Sequence, residues 1–416
     1  MSKTEGITMT IGMILKTDYP PDIRIDKEYK ALLEKGYEVT LLCRRRPGES
    51  KEEFLDGLHV FRSVLVTSSI IKKIENLYYE IFQVHPRWKR EIRRWIKTTR
   101  PDSLHIHDLP LAKTAIKVAQ SLGIPVVVDF HENYPAALQQ WTQMKSRSPL
   151  QLFLKLMNQY TRLSRLEKWV CDHAQRVITV VPEMKERLVQ THKVAPQKVV
   201  VIGNTEPVSF EAQPIQKEIQ EQYVGKQTLL YVGGFGVHRG LDTAIKAMQY
   251  LSGTDVQLLL VGKGSVEVES SYKDLIQSLG LENSVKIIGW QPFETVRSYM
   301  DMADICIVPH ASNEHTENTA PHKLFQYMLA KKPLLVSSCR PIARMVNESN
   351  CGRVHIAGDS RDFAEKAKTM LSDKAALKQF GDNGYSAAST GMFCHDKDKS
   401  SLCSMYADLL VNKNDC

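Results

Sequence analysis

"TLLYVGGFGVHRGLDTAIKAMQYL", residues 228–251, reads as an apolar strand, a glycine-rich turn and a helix in direct succession. A strand that turns straight into a helix is the building unit of a parallel sheet covered by helices on both faces. Outward from this stretch the unit recurs. "VQLLLVGKG" precedes the helix "YKDLIQSLG", then come "VKIIG" and "ADICIVP", and a helix starting near Pro321 feeds the strand "PLLVSS". Toward the amino terminus the same alternation has already run once. It passes through "ITMTIGMIL", the helix "IDKEYKALLEKG", "YEVTLLC", "LHVFRSVL", "SLHIH", the helix "LAKTAIKVAQSLG", "PVVVDF", "RVITVV", the helix "PEMKERLVQTH" and "KVVVIGN". The segment between the two runs, "TEPVSFEAQPIQKEIQEQYVGKQ" (205–227), is polar and carries two prolines, as a domain crossing does.

The expected fold is therefore α/β, with two tandem doubly wound, Rossmann-like domains facing each other across a cleft. The first domain is placed over 1–204, the linker over 205–227 and the second domain over 228–390, with a C-terminal helix over 391–416 returning toward the first domain. A chain of 416 residues exceeds the size at which one hydrophobic core keeps growing, which agrees with two domains. Ligands of such sheets lie beyond the carboxyl ends of the strands, so the substrate site is expected in the cleft.

Composition excludes several classes. Hydrophobic residues make up 43% and charged residues 25% of the chain, without low-complexity tracts or repeats, so a disordered or fibrous protein is ruled out. The eight cysteines are scattered, with no C-x-x-C pair, which favours reduced thiols in the cytoplasm over a disulfide framework or a zinc site. No apolar run is long enough to span a bilayer; "ITMTIGMIL" is read as a first strand.

Charge is unevenly distributed. Residues 1–200 hold 33 Lys and Arg against 22 Asp and Glu, a net of +11, while residues 201–416 hold 22 against 25, a net of −3. Two basic segments, 70–100 and 152–169, interleave cations with aromatic residues and leucine at roughly helical spacing. Such helices suit the surface of an anionic membrane. The plain alternative is a pair of solvated helices packed on a sheet. No recognition motif for nucleic acid accompanies the charge, so nucleic acid is not an expected partner.

Two stretches carry candidate chemistry. In "YVGGFGVHRGLD" (231–242) a glycine-rich turn lets backbone amides approach phosphate oxygens. A nicotinamide fingerprint would need a third glycine where Arg239 stands and an acid ending the next strand, whereas Asp255 precedes it. Arg239 offers a bidentate guanidinium, which fits a diphosphate better than a dinucleotide; a solvated arginine in a tight turn is the alternative. In "NTAPHKLFQYMLAKKPLLVSS" (318–338), His322 and Lys323 occupy the first turn of a helix. A lysine there costs about 0.3 to 1 kcal/mol against the helix dipole unless an anion joins it. Gln326 lies one turn deeper on the same face, within reach of a ribose hydroxyl if that anion is a nucleotide diphosphate.

In their order and spacing, "YVGGFGVHRGLD", "LLLVGKG", "VKIIGWQP", "ADICIVPH" and "PHKLFQYMLAKKPLLVSS" resemble the donor half of a GT-B glycosyltransferase, specifically glycosyltransferase family 4. In the first half, "DIRIDKEYKALLEKGYEVTLLC", "LHIHDLP", "VVVDFHENYP" and "VVVIGN" with Asn204 are similar to the same family. The resemblance implies retaining, metal-independent transfer of a sugar from a nucleotide diphosphate sugar, with no further cofactor. The implied catalytic residues are His131, Arg239 and Lys323. The implied donor-binding residues are Gly233, Gly234, Arg239, Trp290, Gln291, Glu317, Asn318, Lys323, Leu324 and Gln326, with Asp22, Arg24, His107 and Asp108 on the acceptor side. The family's two glutamates, separated by seven intervening residues, are replaced by Asn318 and Gln326, with Glu317 beside the first. The glycine pair common after the first strand is replaced by "KTDYPPDIR". From the basic, aromatic segments of the first half, the expected acceptor is a glycan or a lipid-linked glycan in cell-surface polysaccharide or glycoconjugate synthesis, and with the scattered cysteines the expected location is the cytoplasm, peripheral on the inner face of the membrane. A catalytically silent nucleotide-binding homologue and a GT-B sugar-nucleotide epimerase are the alternatives.

Overall fold

The computed structural model of the chain describes residues 9–63, 69–143 and 159–411. The expected basic helix over 152–169 thus lies partly outside the described residues; its later part falls in the helix Gln159–His173. The start of the expected first strand and the last five residues of the expected C-terminal helix also lie outside them.

The chain divides into two compact units. One runs to Ile202 and takes up the chain again from Asp398; the other spans Gly203–Lys397. The first contains an eight-stranded sheet built from β1 (Thr10–Asp18), β2 (Glu38–Arg44), β3 (Glu52–Leu55), β4 (Leu58–Ser63), β5 (Ser103–His107), β6 (Val126–Phe130), β7 (Arg176–Thr179) and β8 (Val199–Val201). Their order is β3-β4-β2-β1-β5-β6-β7-β8, parallel except for β3. The exception follows from local chemistry. Asp56 and Gly57 both take positive φ (46° and 87°), which makes the two-residue turn that folds β3 back on β4.

The second unit holds a six-stranded parallel sheet of β9 (Gln227–Val232), β10 (Val256–Val261), β11 (Val285–Gly289), β12 (Ile305–Val308), β13 (Leu334–Ser337) and β14 (Gly352–His355). The order is β11-β10-β9-β12-β13-β14. Central strands covered on both faces are predominantly apolar, and all six residues of β10, five of them apolar and the sixth Gln257, are buried. In each sheet the strand order reverses beside the first strand, between β1 and β5 and between β9 and β12. A parallel sheet leaves a crevice at such a reversal, because the loops on either side depart to opposite faces.

Core packing explains the return of the chain. Leu402, Met405, Tyr406, Leu409 and Leu410 of the helix His395–Val411 join Ile25, Tyr29 and Leu32 in the core of the first unit. The Tyr406 hydroxyl also bonds the His105 Nδ1 at 2.8 Å. The seven described cysteines are buried and unpaired with one another. Among the described residues no helix is long and apolar enough to cross a membrane.

Candidate active site

In the second unit, β9 ends in the turn Gly233–Arg239. Gly233 adopts φ +131°, and a Cβ there would lie 2.6 Å from the Lys323 Nζ. Glycine at this position is thus what allows the lysine to reach the strand end. Gly240 closes the turn with φ +63°, and its Cβ would stand 2.0 Å from the Pro309 carbonyl oxygen. The turn after β9 is thereby pressed against the loop after β12, across the reversal of strand order.

Lys323 belongs to the helix His322–Leu329, whose N-terminus at Pro321 has no side-chain cap. The lysine is buried, and its Nζ has no hydrogen-bond partner among the described residues. The ammonium instead sits 3.5 Å from the centroid of the Tyr231 ring. Burial, and then the positive charge of Arg239, hold Lys323 well below the usual lysine range. Arg239 itself donates from Nη1 to the His310 Nε2 at 3.2 Å. Three histidines surround this pair, and all are kept neutral. Burial, followed by Arg239, holds His238 at about 3, His315 at about 4 and His310 well below its ordinary value. Tyr231 is pushed up to about 12 by burial, so its hydroxyl stays a donor, to the Gly234 carbonyl at 2.8 Å.

Two basic groups are therefore held together among neutral rings, and both burial and the neighbouring guanidinium disfavour the charged form of Lys323. A buried charge without a counter-charge costs several kcal/mol, and two like charges cost more. A di-anion bound here would reverse both terms and meet the amides at the helix start, which no side chain caps.

The remaining donor-side residues are distributed differently. Glu317 accepts from the Ser312 Oγ at 2.5 Å and from the Arg340 backbone amide at 2.9 Å, which ties the loop to the helix Arg340–Ser349. Asn318 is buried and donates to the Glu314 carbonyl at 2.7 Å. Leu324 is fully buried, and its amide donates to the Pro321 carbonyl at 3.1 Å, so it contributes packing. Gln326 donates from Nε2 to the Glu206 Oε1 at 3.2 Å, and His322 approaches the same oxygen at 3.5 Å. Trp290 is 61% exposed after β11, with the Lys263 Nζ 5.7 Å from its ring, and Gln291 follows it half-buried. No described contact joins Trp290 or Gln291 to Arg239 or Lys323.

In the first unit the candidates gather at the ends of β5 and β6 around Asp129. This fully buried carboxylate accepts from the Arg24 Nε at 2.5 Å, the Arg24 Nη2 at 2.7 Å and the His131 Nε2 at 2.9 Å. Burial works against its charge, but Arg24 and His131 outweigh it and hold Asp129 well below the usual carboxylate range. Asp108 approaches the His131 Nδ1 at 3.4 Å and accepts from its backbone amide at 3.2 Å. Burial opposes protonation of His131, yet Asp108 and Asp129 push it up to about 10. His107 lies 3.2 Å from the His131 Nε2 and, being buried beside His105, is held at about 3. His131 is thus an imidazolium clamped between two carboxylates, with its ring half-buried.

Asp22 and Arg24 serve the framework of this unit. Asp22 caps the helix Ile23–Glu34 by accepting from the Arg24 and Ile25 amides at 3.0 and 3.1 Å. Arg24 is spent on Asp129 and on Glu28 at 3.1 Å. Glu28, His105, His107 and Asp129 have ligand-type atoms within 4.8 Å of one another. The guanidinium of Arg24 already supplies positive charge to both of those acids, so the chemistry of the set is that of an ion-pair network.

Sequence reasoning missed Asp129, Tyr231, His238 and Glu206. An acid within the apolar run "PVVVDF" was a usable signal for Asp129. Tyr231 and His238 lie inside a quoted motif but had no distinguishing feature, and Glu206 reaches Gln326 only through the fold.

Residues 25–205 match the family Glycosyltransferase Family 4, and residues 212–387 match Glycosyl transferases group 1. Among curated proteins, the alpha-D-kanosaminyltransferase of Streptomyces kanamyceticus is 19% identical over 277 residues, covering 64% of this chain and 66% of that protein. Among solved structures, the sucrose-phosphate synthase of Thermosynechococcus elongatus superposes with a TM-score of 0.77 at 16% identity, over 97% of this chain and all (100%) of that one. Anabaena HepE, solved in complex with UDP-glucose, does so with a TM-score of 0.69 at 15% identity, over 96% and 100% of the two chains. Two Rossmann-like units with GT-B relatives and a family match to each make this chain a nucleotide-sugar-dependent glycosyltransferase, and it belongs to glycosyltransferase family 4.

Proposed function

We propose that the diphosphate of the donor is held by Lys323, Arg239 and the uncapped amides of the helix His322–Leu329, and that these groups carry the leaving-group charge without help from a metal. The observation that carries this reading is the buried Lys323 ammonium, which has no hydrogen-bond partner among the described residues and only Arg239 as a charged neighbour depressing it. Electrostatic groups placed in advance where charge develops are the largest single contribution in many enzymes, at about 2.7 to 4 kcal/mol for one donor.

The step is written as a front-face, retaining substitution. The bond between the sugar C1 and the phosphate oxygen breaks, the bond from C1 to the acceptor oxygen forms on the same face, and the acceptor proton passes to the departing phosphate oxygen. His131 is not the base in this scheme, since Asp108 and Asp129 keep it protonated. It acts as a donor to a sugar hydroxyl or to developing negative charge. Asp108 orients that ring, His107 buttresses it, and Asp22 and Arg24 take no part in acceptor binding.

Gln326 reads the ribose, while Trp290 and Gln291 lie toward the base. Glu317 and Asn318 shape the loop that grips the sugar, together with Gly233 and Gly234. The acceptor is a glycan or lipid-linked glycan of the cell surface, and the enzyme works in the cytoplasm on the inner face of the membrane. The basic first half of the chain and its buried, unpaired thiols support that placement.

The test is a thermal-shift panel of nucleotide sugars and nucleoside diphosphates on the wild type and on Arg239→Ala, followed by transfer assays with the donor selected. A selective rise in the wild type that disappears in Arg239→Ala is expected. A panel with no selective rise, or an Arg239→Ala variant that shifts as the wild type does, overturns the assignment.

A further inference from the structure

The helix Ser69–Phe82 is built inside out. Lys73 and Asn76 are exposed, but Glu75, Tyr79 and Glu80 of its polar face are turned toward the protein. Glu75 pairs with the Arg87 Nε at 2.8 Å, Glu80 pairs with Arg162, Gln83 donates to the Arg162 carbonyl at 3.1 Å, and Tyr79 stacks on His85 with ring centroids 4.1 Å apart. Its apolar side chains face outward. Ile70, Ile74, Leu77, Tyr78, Ile81 and Phe82 follow one another at intervals of one, three or four residues and form a single stripe. They are 68, 62, 54, 40, 63 and 52% exposed, respectively.

An amphipathic helix normally stabilises a fold by burying its apolar stripe, and this one is held down by ion pairs, a hydrogen bond and one ring stack instead. Soluble surfaces rarely carry a contiguous apolar patch of this kind unless something covers it. The stripe extends about 21 Å along a helix of 14 residues.

We propose that this stripe inserts into the interfacial layer of an anionic lipid surface. Charge complementarity selects that occupant. The next helix, Pro86–Thr99, exposes Arg90, Arg93, Arg94 and Lys97, and the half of the chain that carries both helices has a net charge of +11. An apolar stripe beside a cationic helix matches a layer of acyl chains beneath anionic headgroups, and each cation near such a surface adds about 1 kcal/mol. A second copy of the chain would bring two faces of the same strong positive charge together, which opposes isologous pairing. The proposal rests on the transferase reading only for its purpose, the delivery of the enzyme to an acceptor carried on lipid; the binding itself needs no donor.

The experiment is co-sedimentation at low salt, without nucleotide sugar, with vesicles of phosphatidylglycerol and phosphatidylcholine and with vesicles of phosphatidylcholine alone. Wild type is compared with the triple variant Ile74→Ser, Leu77→Ser, Ile81→Ser, with the charge variant Arg90→Glu, Arg94→Glu, and with Val224→Ser, an exposed apolar control on the other unit. The expected result is binding of wild type and of Val224→Ser to the anionic vesicles, weaker by about tenfold or more in the triple variant and strongly reduced in the charge variant. All replaced positions are exposed, so unchanged melting temperatures accompany the loss.

The proposal is overturned if wild type ignores anionic vesicles, or if the triple variant binds them undiminished. It is also overturned if wild type is a dimer in solution that the triple variant splits, since the stripe is then an interface between copies. A failed donor panel would sink the transferase site and leave vesicle binding intact, and a failed vesicle assay would do the reverse.

Discussion

Replacing Lys323 by Met separates stability from function. The side chains have similar length, so the change keeps the packing beneath Tyr231 and removes a charge whose Nζ has no hydrogen-bond partner among the described residues. Exchanging poorly compensated buried charge for apolar volume is worth about 1 to 4 kcal/mol of added stability. In a unit of this size that corresponds to a rise of about 2 to 4 °C in melting temperature per kcal/mol. The same change removes a charge-assisted contact to the diphosphate worth about 1.5 to 3 kcal/mol, or roughly ten- to a hundredfold in affinity. Ligand-free Lys323→Met should therefore melt above the wild type and gain far less from a saturating nucleoside diphosphate. Calorimetry with and without ligand reads both quantities.

The pH dependence gives an independent check of the same residue. Lys323 is held well below the ordinary lysine value in the folded protein, so the unfolded chain binds more protons between the two values. Wild-type stability must then rise with pH across that window, relative to the variant, by up to about 1.4 kcal/mol per pH unit. A variant that melts lower than wild type, or one that binds the diphosphate equally well, would refute the claim that the lysine is stored for an anion.

Gly240→Ala should cost roughly 2 kcal/mol or more, because its positive φ is joined by a Cβ only 2.0 Å from the Pro309 oxygen; Gly253→Ala, with φ +79° and nothing within 4 Å, should cost about 1 kcal/mol through strain alone. Urea melts decide this, and equal costs would show that the close approach between the turns is not tight. His131→Gln removes an imidazolium pushed up to about 10 against an ordinary 6.5. A raised folded value means that the stabilisation is complete below pH 6.5 and is lost as pH climbs through 10, so the gap between wild type and variant should be on the order of 3 kcal/mol in the acid part of that range and close at alkaline pH. A gap that stays constant from pH 6 to 10 would mean that Asp108 and Asp129 do not hold the ring protonated.

The alternation of apolar runs and amphipathic segments determined the two parallel sheets, since strands covered on both faces are predominantly apolar wherever the chain places them. The antiparallel β3 was not read from the sequence: its strand "EEFL" is polar and largely exposed and shows no buried face, although Asp56-Gly57 was a usable turn signal. Arg239 and Lys323 were legible because each breaks a local rule, one replacing a glycine and the other opposing a helix dipole. Their meeting was not. It depends on Gly233 leaving room for an ammonium and on the order β10-β9-β12, which sets two turns from distant parts of the chain side by side. Arg24 reads locally as an available cation, and only the fold spends it on Asp129, 105 residues away. The periodicity of residues 69–82 likewise marks an amphipathic helix without saying which face looks inward, because a moment has a direction only once partners exist. Arg87 and Arg162 supply them, and they turn Glu75 and Glu80 in.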